Sequence, residues 1–355
     1  MQRLRGLAQK GSFAYPGEAG QEIGPAARGA DRRMGGGVVM GHLMRGNRQT
    51  ADGSPALPWG LTGLLLLFVM ALALAGPARA QSRCGSADFR VMTYNIRLDT
   101  PADGANRWAL RRDLLIGQVR LLQPAILGLQ EVLPGQRSDL VAALPGLAVV
   151  GGGRDDGKLE GEAAPLMIDT NRYRIAASGM FWLSPTPAVP SLGWDAGFRR
   201  VASWARLVDR THGTRLLVIN THWDHVGLAA RLNSARLLRD WIARHRRGGE
   251  EVILLGDFNA PLAEASMQAL LGPDLRDTRA AAIEPPTGPL VTFNGWVLVP
   301  EAGGAIDHVL ASPGLTVRRH HVLAEHFGGR LASDHFPVIA DLFRPQRSSC
   351  RDKTA

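Results

Sequence analysis

The stretch VILLGDFNAP, residues 252–261, places a carboxylate and an amide, Asp257 and Asn259, directly after a run of four aliphatic residues. Such a run is typical of a strand buried on both faces, so the polar pair marks the point where the strand ends. Other apolar runs of the chain end in the same manner. The polar side chains at their ends are Asn95, Glu131, Thr221 and His222.

In two later segments the polar residues come before the apolar run. Asp307 precedes the apolar run of AIDHVLAS, and Asp334 and His335 precede the run of SDHFPVIADL. If these strands run antiparallel to the earlier ones, their first residues lie at the edge where the earlier strands end. The sequence therefore predicts that all these polar groups converge at one sheet edge, where α/β proteins build their sites.

The converging residue types suit phosphoryl hydrolysis. Carboxylates and an amide offer hard oxygen ligands, which favour Mg²⁺ or Mn²⁺ over zinc, and no cysteine is placed to act as a ligand. Histidines with acidic neighbours can stabilise a negatively charged transition state or activate water. Each residue alone also has a structural explanation, such as a strand-end turn for Asn95 or a half-buried ring for His222. Six such coincidences in order along the chain favour a site.

Alternating strands and helices are needed to position these groups. One helical pattern spans residues 106–123, with Asn106 as its cap and Pro124 as its stop, and another spans 228–245. Each lies between two apolar runs, which predicts two strand–helix–strand units with parallel strands. The segment 150–215 alternates more and indicates antiparallel strands and loops. We expect one α/β domain of layered sheets with helices outside. The five clearest strands are 89–95, 125–131, 215–222, 252–259 and 336–342.

The apolar spacing within the two helical patterns predicts which face of each helix packs inward. In the first helix this face consists of Leu110, Leu114, Leu115, Val119 and Leu122. In the second it consists of Leu228, Leu232, Ala235, Leu238, Trp241 and Ile242.

The first 80 residues differ from the rest. The charge-free apolar segment 61–76 is followed by ARA, residues 78–80, which predicts a secretory signal peptide cleaved after Ala80. An uncleaved membrane anchor is the alternative. We therefore expect an N-terminal extension and signal peptide at 1–80, a catalytic domain at 81–355, and a periplasmic or secreted protein. Cys84 and Cys350 flank that domain, and export favours a disulfide between them.

The net charge of +9 overstates how basic the exported domain is. The first 80 residues hold nine of the 41 basic residues and four of the 32 acidic ones, which leaves a net charge of +4 for the rest. A protein that coats DNA is expected to have a denser basic stripe.

The motifs TYNIR, GLQEV, NTHWDH, GDFNAP, IDHVL and SDHFPV, in this order and spacing, resemble the endonuclease/exonuclease/phosphatase superfamily, and the segment 99–108 resembles a bacterial secreted subgroup of it. The resemblance covers residues 88–344. It implies a four-layer α/β sandwich, in which two mixed β-sheets pack face to face with helices outside. It also implies a phosphoesterase that depends on Mg²⁺ or Mn²⁺ and works by in-line attack of water.

The resemblance assigns roles residue by residue. Glu131 would be the main metal carboxylate, Asn95 would help to hold metal or phosphate, and Asp334 would complete the metal side. Asp257 would orient or deprotonate the attacking water. Whether Asp257 or His335 is the base stays open at this point. The remaining assignments are Asn259 for water and phosphate, His335 at the scissile phosphate, and Asp307 as the residue that orients His335.

Further matches rest on looser spacing. His222 resembles a second active-site histidine, with Glu162 as its acidic partner, and Arg200 matches a phosphate-contacting arginine. Trp223, next to His222, is the tryptophan we expect as a substrate platform. Arg97 departs from the apurinic-site nucleases, which have an aspartate at that position, and this weakens a repair-nuclease function. We expect His320, His321 and His326 to be solvated.

The substrate stays open among nucleic acid, a phospholipid head group and a small phosphate ester. A sphingomyelinase-like phospholipid hydrolase is one alternative, although the sequence contains no hydrophobic hairpin suited to membrane insertion. A non-catalytic binding domain that retains the fold is the alternative from a different class, and it predicts lost ligands. No protein partner is implied, and we expect a monomer.

Overall fold

Two six-stranded mixed sheets form the centre of the computed structural model, which describes residues 88–300 and 303–345. The first sheet has the strand order β11-β12-β1-β2-β4-β3. Its strands are β1 (Phe89–Asn95), β2 (Ile126–Gln130), β3 (Leu147–Val150), β4 (Leu166–Asp169), β11 (Thr316–Val322) and β12 (Val338–Phe343).

The second sheet has the order β5-β6-β7-β8-β10-β9. Its strands are β5 (Tyr173–Trp182), β6 (Val201–Asp209), β7 (Arg215–His222), β8 (Glu250–Asp257), β9 (Arg276–Asp277) and β10 (Asp307–Ala311). The helices are α1 (Trp108–Leu122), α2 (Pro134–Ala143), α3 (Leu228–His245), α4 (Ala265–Leu270) and α5 (Thr278–Ala281), and a 3₁₀ turn covers Pro101–Asn106. The predicted α/β sandwich with two mixed sheets and outer helices is confirmed.

Strand direction brings the polar residues to one edge. β1 pairs with β2 in parallel, and β7 pairs with β8 in parallel, as the two strand–helix–strand units predict. β10 runs antiparallel to β8, with Asp307 opposite Asp257, and β12 runs antiparallel to β1. The starts of β10 and β12 therefore lie where β8 and β1 end.

Each central strand is buried on both faces because successive side chains point to opposite sides. In β1, Val91 belongs to the cluster between the two sheets, whereas Met92 belongs to the cluster under α1 and α2. In β8, Leu255 faces the other sheet, and Leu254 packs with Leu238 of α3. Three apolar layers thus hold the two sheets and their outer helices together.

The structure corrects several expectations from the sequence. Leu110 and Leu228 are exposed, because α1 and α3 turn these first-turn residues away from the sheets. Asn106 does not cap α1, since it ends the 3₁₀ turn, and Asp99 Oδ1 instead accepts the N–H of Trp108 at 3.3 Å. His320 is buried, with Nδ1 3.0 Å from the Thr278 hydroxyl, so the expectation that it is solvated was wrong.

The predicted signal peptide, the division at residue 80, Cys84 and Cys350 lie outside the described residues. Among the residues that the structure describes, no helix is long and apolar enough to cross a bilayer.

The two sheets approach closely at Gly128 of β2. A Cβ at this position would lie 2.6 Å from Asn220 Oδ1 and 2.7 Å from Leu255 Cδ1. Asn220 uses this space to join the sheets: its Nδ2 donates to the carbonyls of Leu129 at 2.8 Å and Pro165 at 2.9 Å. Its Oδ1 accepts from Gln130 at 2.7 Å. Glycine at 128 therefore permits a polar link inside the apolar layer.

We predict that Gly128→Ala lowers the free energy of unfolding by about 1–3 kcal/mol, because the added methyl group overpacks the contact between the sheets. Gly117→Ala is the matched control. Gly117 is an exposed residue inside α1 with open space around its Cα, so alanine there should raise stability by about 0.5–1 kcal/mol. Urea unfolding followed by circular dichroism measures both. Equal stability of Gly128→Ala and the unmodified protein would contradict the packing described here.

Candidate active site

Asn95, the last residue of β1, links the two sheets at their polar edge. Its Nδ2 donates to Glu131 Oε1 and to Asp257 Oδ2, both at 2.9 Å, and its Oδ1 accepts the N–H of Arg97 at 3.0 Å. Glu131 follows β2 in the first sheet, and Asp257 ends β8 in the second. One buried amide thus holds two carboxylates that belong to different sheets.

Backbone strain is concentrated at this edge. Glu131, Asn259 and Arg97 have φ values of 61°, 48° and 54°, in the left-handed region that non-glycine residues seldom adopt. Such conformations persist where the surrounding contacts enforce them, and they are frequent at functional sites. Asn259 is fixed in this way by its N–H to Asp257 Oδ1 at 2.9 Å and by its Nδ2 to the Trp223 carbonyl at 3.0 Å.

His335 and Asp307 form a buried ion pair, with His335 Nδ1 2.9 Å from Asp307 Oδ2. The other ring nitrogen, Nε2, lies 3.8 Å from Asp257 Oδ2. Burial opposes protonation of the ring, but the charge and hydrogen bond of Asp307, assisted by Asp257 and Asp334, raise the pKa of His335 to about 10. The ion pair with Asp307 therefore favours the imidazolium form of His335 at neutral pH, and this form can donate from both nitrogens.

His222 has a different partner and a different state. Its Nδ1 lies 3.0 Å from a guanidinium nitrogen of Arg200, and because guanidinium only donates, this ring nitrogen accepts. The proton of the neutral ring is then on Nε2, which lies 3.5 Å from Asp257 Oδ2. Burial, and next the charge of Arg200, lower the pKa of His222 well below its usual value. His222 is thus a neutral donor at the site.

A second group of carboxylates surrounds Arg97. The guanidinium forms two 3.0 Å hydrogen bonds with Asp103, and it also lies 3.9 Å from Glu131 Oε2 and 3.8 Å from Asp334 Oδ2. Burial raises the pKa of Asp334 to about 6, with Glu131 acting in the same direction and His335 against it. Glu131 and Asp334, which the sequence predicts as metal ligands, therefore both lie within 3.9 Å of the same guanidinium.

Glu162 and Arg200 lie near the predicted site, but their partners differ from the expected ones. Glu162 is paired with Arg154 at 2.8 Å, whereas the sequence predicts a pair with His222. Arg200 is buried and is held by Asp224 at 3.4 Å, while it also contacts His225 Nδ1 at 3.1 Å. Sequence reasoning missed Arg154, because the loop that carries it has no periodicity and its partner is eight residues away.

Trp223 is fully buried and packs edge-on against Phe258, with ring centroids 4.8 Å apart. It therefore supports the loop after β8 from below, and the predicted role as a substrate platform is wrong.

The site has the donor chemistry for a metal ion. Asp257, Asp307 and His335 bring possible ligand atoms within 4.8 Å of one another, and of these the carboxylates are the ones available to a cation while the His335 ring is protonated. Asp307 Oδ1 is buried and has no hydrogen-bond partner, and burial, followed by the charge of Asp307, raises the pKa of Asp257 to about 7. Buried carboxylates with an unmatched oxygen are costly unless a cation or donor meets them. The oxygen-rich set suits a hard divalent cation.

Comparisons with known proteins identify similar sequences and structures. A profile of the Endonuclease/Exonuclease/phosphatase family matches residues 92–335. A solved mannosyl-6-phosphatase from Bacteroides thetaiotaomicron VPI-5482 is 34% identical, with a TM-score of 0.69, and the match covers 72% of this chain and 99% of that one. An endonuclease/exonuclease/phosphatase structure from Bacteroides vulgatus is 35% identical, with a TM-score of 0.69, and covers 73% and 99%. The uncharacterized protein L388 of Acanthamoeba polyphaga mimivirus is 26% identical over 180 residues, which are 48% of this chain and 67% of that protein.

We predict that Asp307→Asn shifts the alkaline limit of activity to lower pH. The aspartate charge favours the imidazolium form of His335, so its removal lowers the pKa of His335 and the ring loses its proton earlier as pH rises. The pH dependence of kcat/KM measures the shift. An unchanged alkaline limit would contradict the ion pair.

His335→Ala should be more damaging than Asp307→Asn at neutral pH, because the imidazole would be lost and not only its orienting partner. We expect a loss of about two or more orders of magnitude in kcat, with normal circular dichroism. His326→Ala, in an exposed loop, is the control and should retain full activity. The reverse ranking of the two variants would exclude the assigned roles.

Proposed function

The chain belongs to the endonuclease/exonuclease/phosphatase family, and we propose that it is a divalent-metal-dependent phosphoesterase that hydrolyses a sugar phosphate. One observation carries the catalytic part of this proposal. A single oxygen, Asp257 Oδ2, lies 2.9 Å from Asn95 Nδ2, 3.5 Å from His222 Nε2 and 3.8 Å from His335 Nε2. Three nitrogen atoms thus surround the carboxylate that the proposal assigns to the attacking water.

We assign the metal ion to Glu131 and Asp334, as the family resemblance implies, because Asp257 is assigned to the attacking water and its neighbour His335 is protonated. Asn95 would position Glu131. The amide nitrogen of Asn95 faces the carboxylates, which supports a positioning role more than a ligand role. When bound, Mg²⁺ or Mn²⁺ would neutralise phosphate charge and polarise the P–O bonds. Arg97 would remain beside both carboxylates as a permanent positive charge.

The protonation states favour Asp257 over His335 as the base. The pKa of His335, raised to about 10 mainly by Asp307, favours its imidazolium at neutral pH, so His335 would act as a donor. Asp257 would orient and deprotonate the water, helped by a pKa of about 7. His335 would then donate to a phosphate oxygen as negative charge develops during in-line attack.

Neutral His222 and the amide of Asn259 would add further donors to the phosphate. Arg200 fixes the tautomer of His222 and supplies positive charge beside it. This arrangement places donors around an oxyanion without the reorganisation that water would require.

The sugar-phosphate assignment is supported by the 34% identical mannosyl-6-phosphatase, which this chain matches over nearly its whole length. Nucleic acid is a weaker candidate, because Arg97 replaces the aspartate of the apurinic-site nucleases and residues 81–355 carry a net charge of only +4. The non-catalytic alternative predicts lost ligands, whereas this chain retains Glu131, Asp257 and His335. Export through the signal peptide at 1–80 and a monomeric state remain parts of the proposal.

A hydrolysis panel with Mg²⁺ and with EDTA tests the proposed function. It should include mannose 6-phosphate, bis-p-nitrophenyl phosphate, plasmid DNA, RNA and sphingomyelin. We expect metal-dependent release of phosphate from mannose 6-phosphate, and loss of that activity in EDTA. Faster hydrolysis of DNA, RNA or sphingomyelin would show that the substrate is not a sugar phosphate. If none of the compounds in the panel is hydrolysed, the enzymatic function is refuted.

Glu131→Gln should lower kcat by about two or more orders of magnitude at saturating Mg²⁺, because it removes the main metal charge and keeps the side-chain shape. Glu284→Gln is the control, since Glu284 is an exposed carboxylate paired with Arg319. Calorimetric titration of Mg²⁺ should show weakened binding in Glu131→Gln alone. Near-normal turnover and binding in that variant would exclude Glu131 as the main ligand.

A further inference from the structure

Phe293 is a partly exposed aromatic residue that borders the catalytic histidine. Its ring lies edge to face with the ring of His335, with centroids 5.1 Å apart and an interplanar angle of 67°. His335 is buried, whereas 39% of Phe293 is exposed to solvent. The aromatic surface therefore forms part of the wall next to the point at which the scissile phosphate would be held.

The backbone on each side of Phe293 is fixed to a catalytic element. The hydroxyl of Thr292 accepts the N–H of Asp307 at 3.1 Å, and its carbonyl accepts the N–H of Phe336 at 2.7 Å. On the other side, the N–H of Asn294 donates to the Asp334 carbonyl at 2.7 Å. Its Nδ2 donates to the Ser333 carbonyl at 3.2 Å. These hydrogen bonds tie the segment to the starts of β10 and β12 and so fix the backbone of Phe293 beside His335.

Two other phenylalanines with comparable exposure have different surroundings. Phe198 is 48% exposed, but it stacks on His225 at 5.9 Å and lies 4.7 Å from the Arg154 guanidinium. Phe327 is 40% exposed and belongs to a short bridged turn with Arg330. Phe198 also lies 5.8 Å from the guanidinium of Arg200, but of the three rings only Phe293 packs against His335, the residue assigned to the scissile phosphate. This position gives it access to whatever is esterified to the phosphate.

We infer that Phe293 is the wall of a leaving-group subsite and stacks on the apolar C–H face of a pyranose ring. This inference rests on the proposed function and specifies how the substrate is selected. A sugar ring has an apolar face and a hydroxyl edge, and aromatic side chains bind the apolar face. The charged groups of the same site, Arg97, Arg154 and Glu162, are 12–24% exposed at the side chain and can meet hydroxyl groups.

Comparison of two phosphomonoesters tests the subsite. Mannose 6-phosphate contains the ring, and glycerol 3-phosphate has the same phosphate without one. With Mg²⁺, Phe293→Ala should lower kcat/KM for mannose 6-phosphate by about tenfold, mainly through KM, because a stacking surface is lost. The value for glycerol 3-phosphate should change less than about threefold. Phe293→Tyr should retain the preference, because it retains the ring.

Phe327→Ala is the matched control, since it removes an equally exposed phenyl group outside the site and should change neither value. An equal loss for both esters in Phe293→Ala would overturn the inference, because Phe293 would then act only by positioning His335. Adenosine 5′-monophosphate is a third ester for this comparison. If Phe293→Ala lowers kcat/KM for adenosine 5′-monophosphate and not for mannose 6-phosphate, the inference is overturned, because Phe293 would then stack on a nucleobase.

Binding measured without turnover separates this inference from the proposed function. Titration calorimetry of mannose 6-phosphate in EDTA reports on affinity even if the protein does not hydrolyse the ester. Weaker binding by Phe293→Ala than by Phe327→Ala supports the subsite, and equal binding refutes it. Failure of the unmodified protein to hydrolyse the ester with Mg²⁺ would refute the proposed function alone.

Discussion

The amide of Asn95 is the contact on which the site depends, because it joins carboxylates from two separate sheets. Glu131 and Asp257 carry like charges in a poorly solvated edge, and each needs a donor or cation to remain there. One amide nitrogen provides two donors, so a single residue at the end of β1 fixes both carboxylates. The packing of the sheets supports this contact from below, through Gly128 and the amide of Asn220. The sandwich therefore serves as the frame that sets the spacing of its charged edge.

The two active-site histidines show how partners decide the chemistry of one residue type. His335 faces Asp307 and is held as a cation, whereas His222 faces Arg200 and is held neutral with its proton on Nε2. Both rings point a nitrogen toward Asp257. The carboxylate is thus approached by one charged donor and one neutral donor, and it is the group left to accept a proton. The pKa of His335 is raised by Asp307 at the start of β10, whereas the pKa of His222 is lowered first by burial and then by Arg200, just before β6.

The strand ends were predictable from the sequence, because an apolar run that stops at a polar side chain is a local signal for the end of a buried strand. β1 and β7 have the predicted bounds, and the polar residues of β8, β10 and β12 meet at the predicted edge. The side-chain partners were not predictable to the same degree. Glu162 pairs with Arg154 and Trp223 is buried under the loop after β8, because loop packing and not strand period sets these contacts. His320 was misjudged for the same reason, since burial by α5 has no local signature in the sequence.

Catalysis and substrate choice have different origins in this fold. The catalytic groups lie at strand ends, where the topology of two parallel pairs and two antiparallel returns brings them together regardless of the substrate. The side chains that contact a leaving group must come from the segments between strands, which can vary without loss of the fold. The segment 292–294 lies between strands, yet it also contacts the groups at the strand ends. Its backbone holds the first residue of β10 and the residues before β12, and its phenyl ring packs against His335. In the subsite that we propose, a bound ring would press on the backbone that positions Asp307 and His335, which would couple recognition of the leaving group to the placement of this pair.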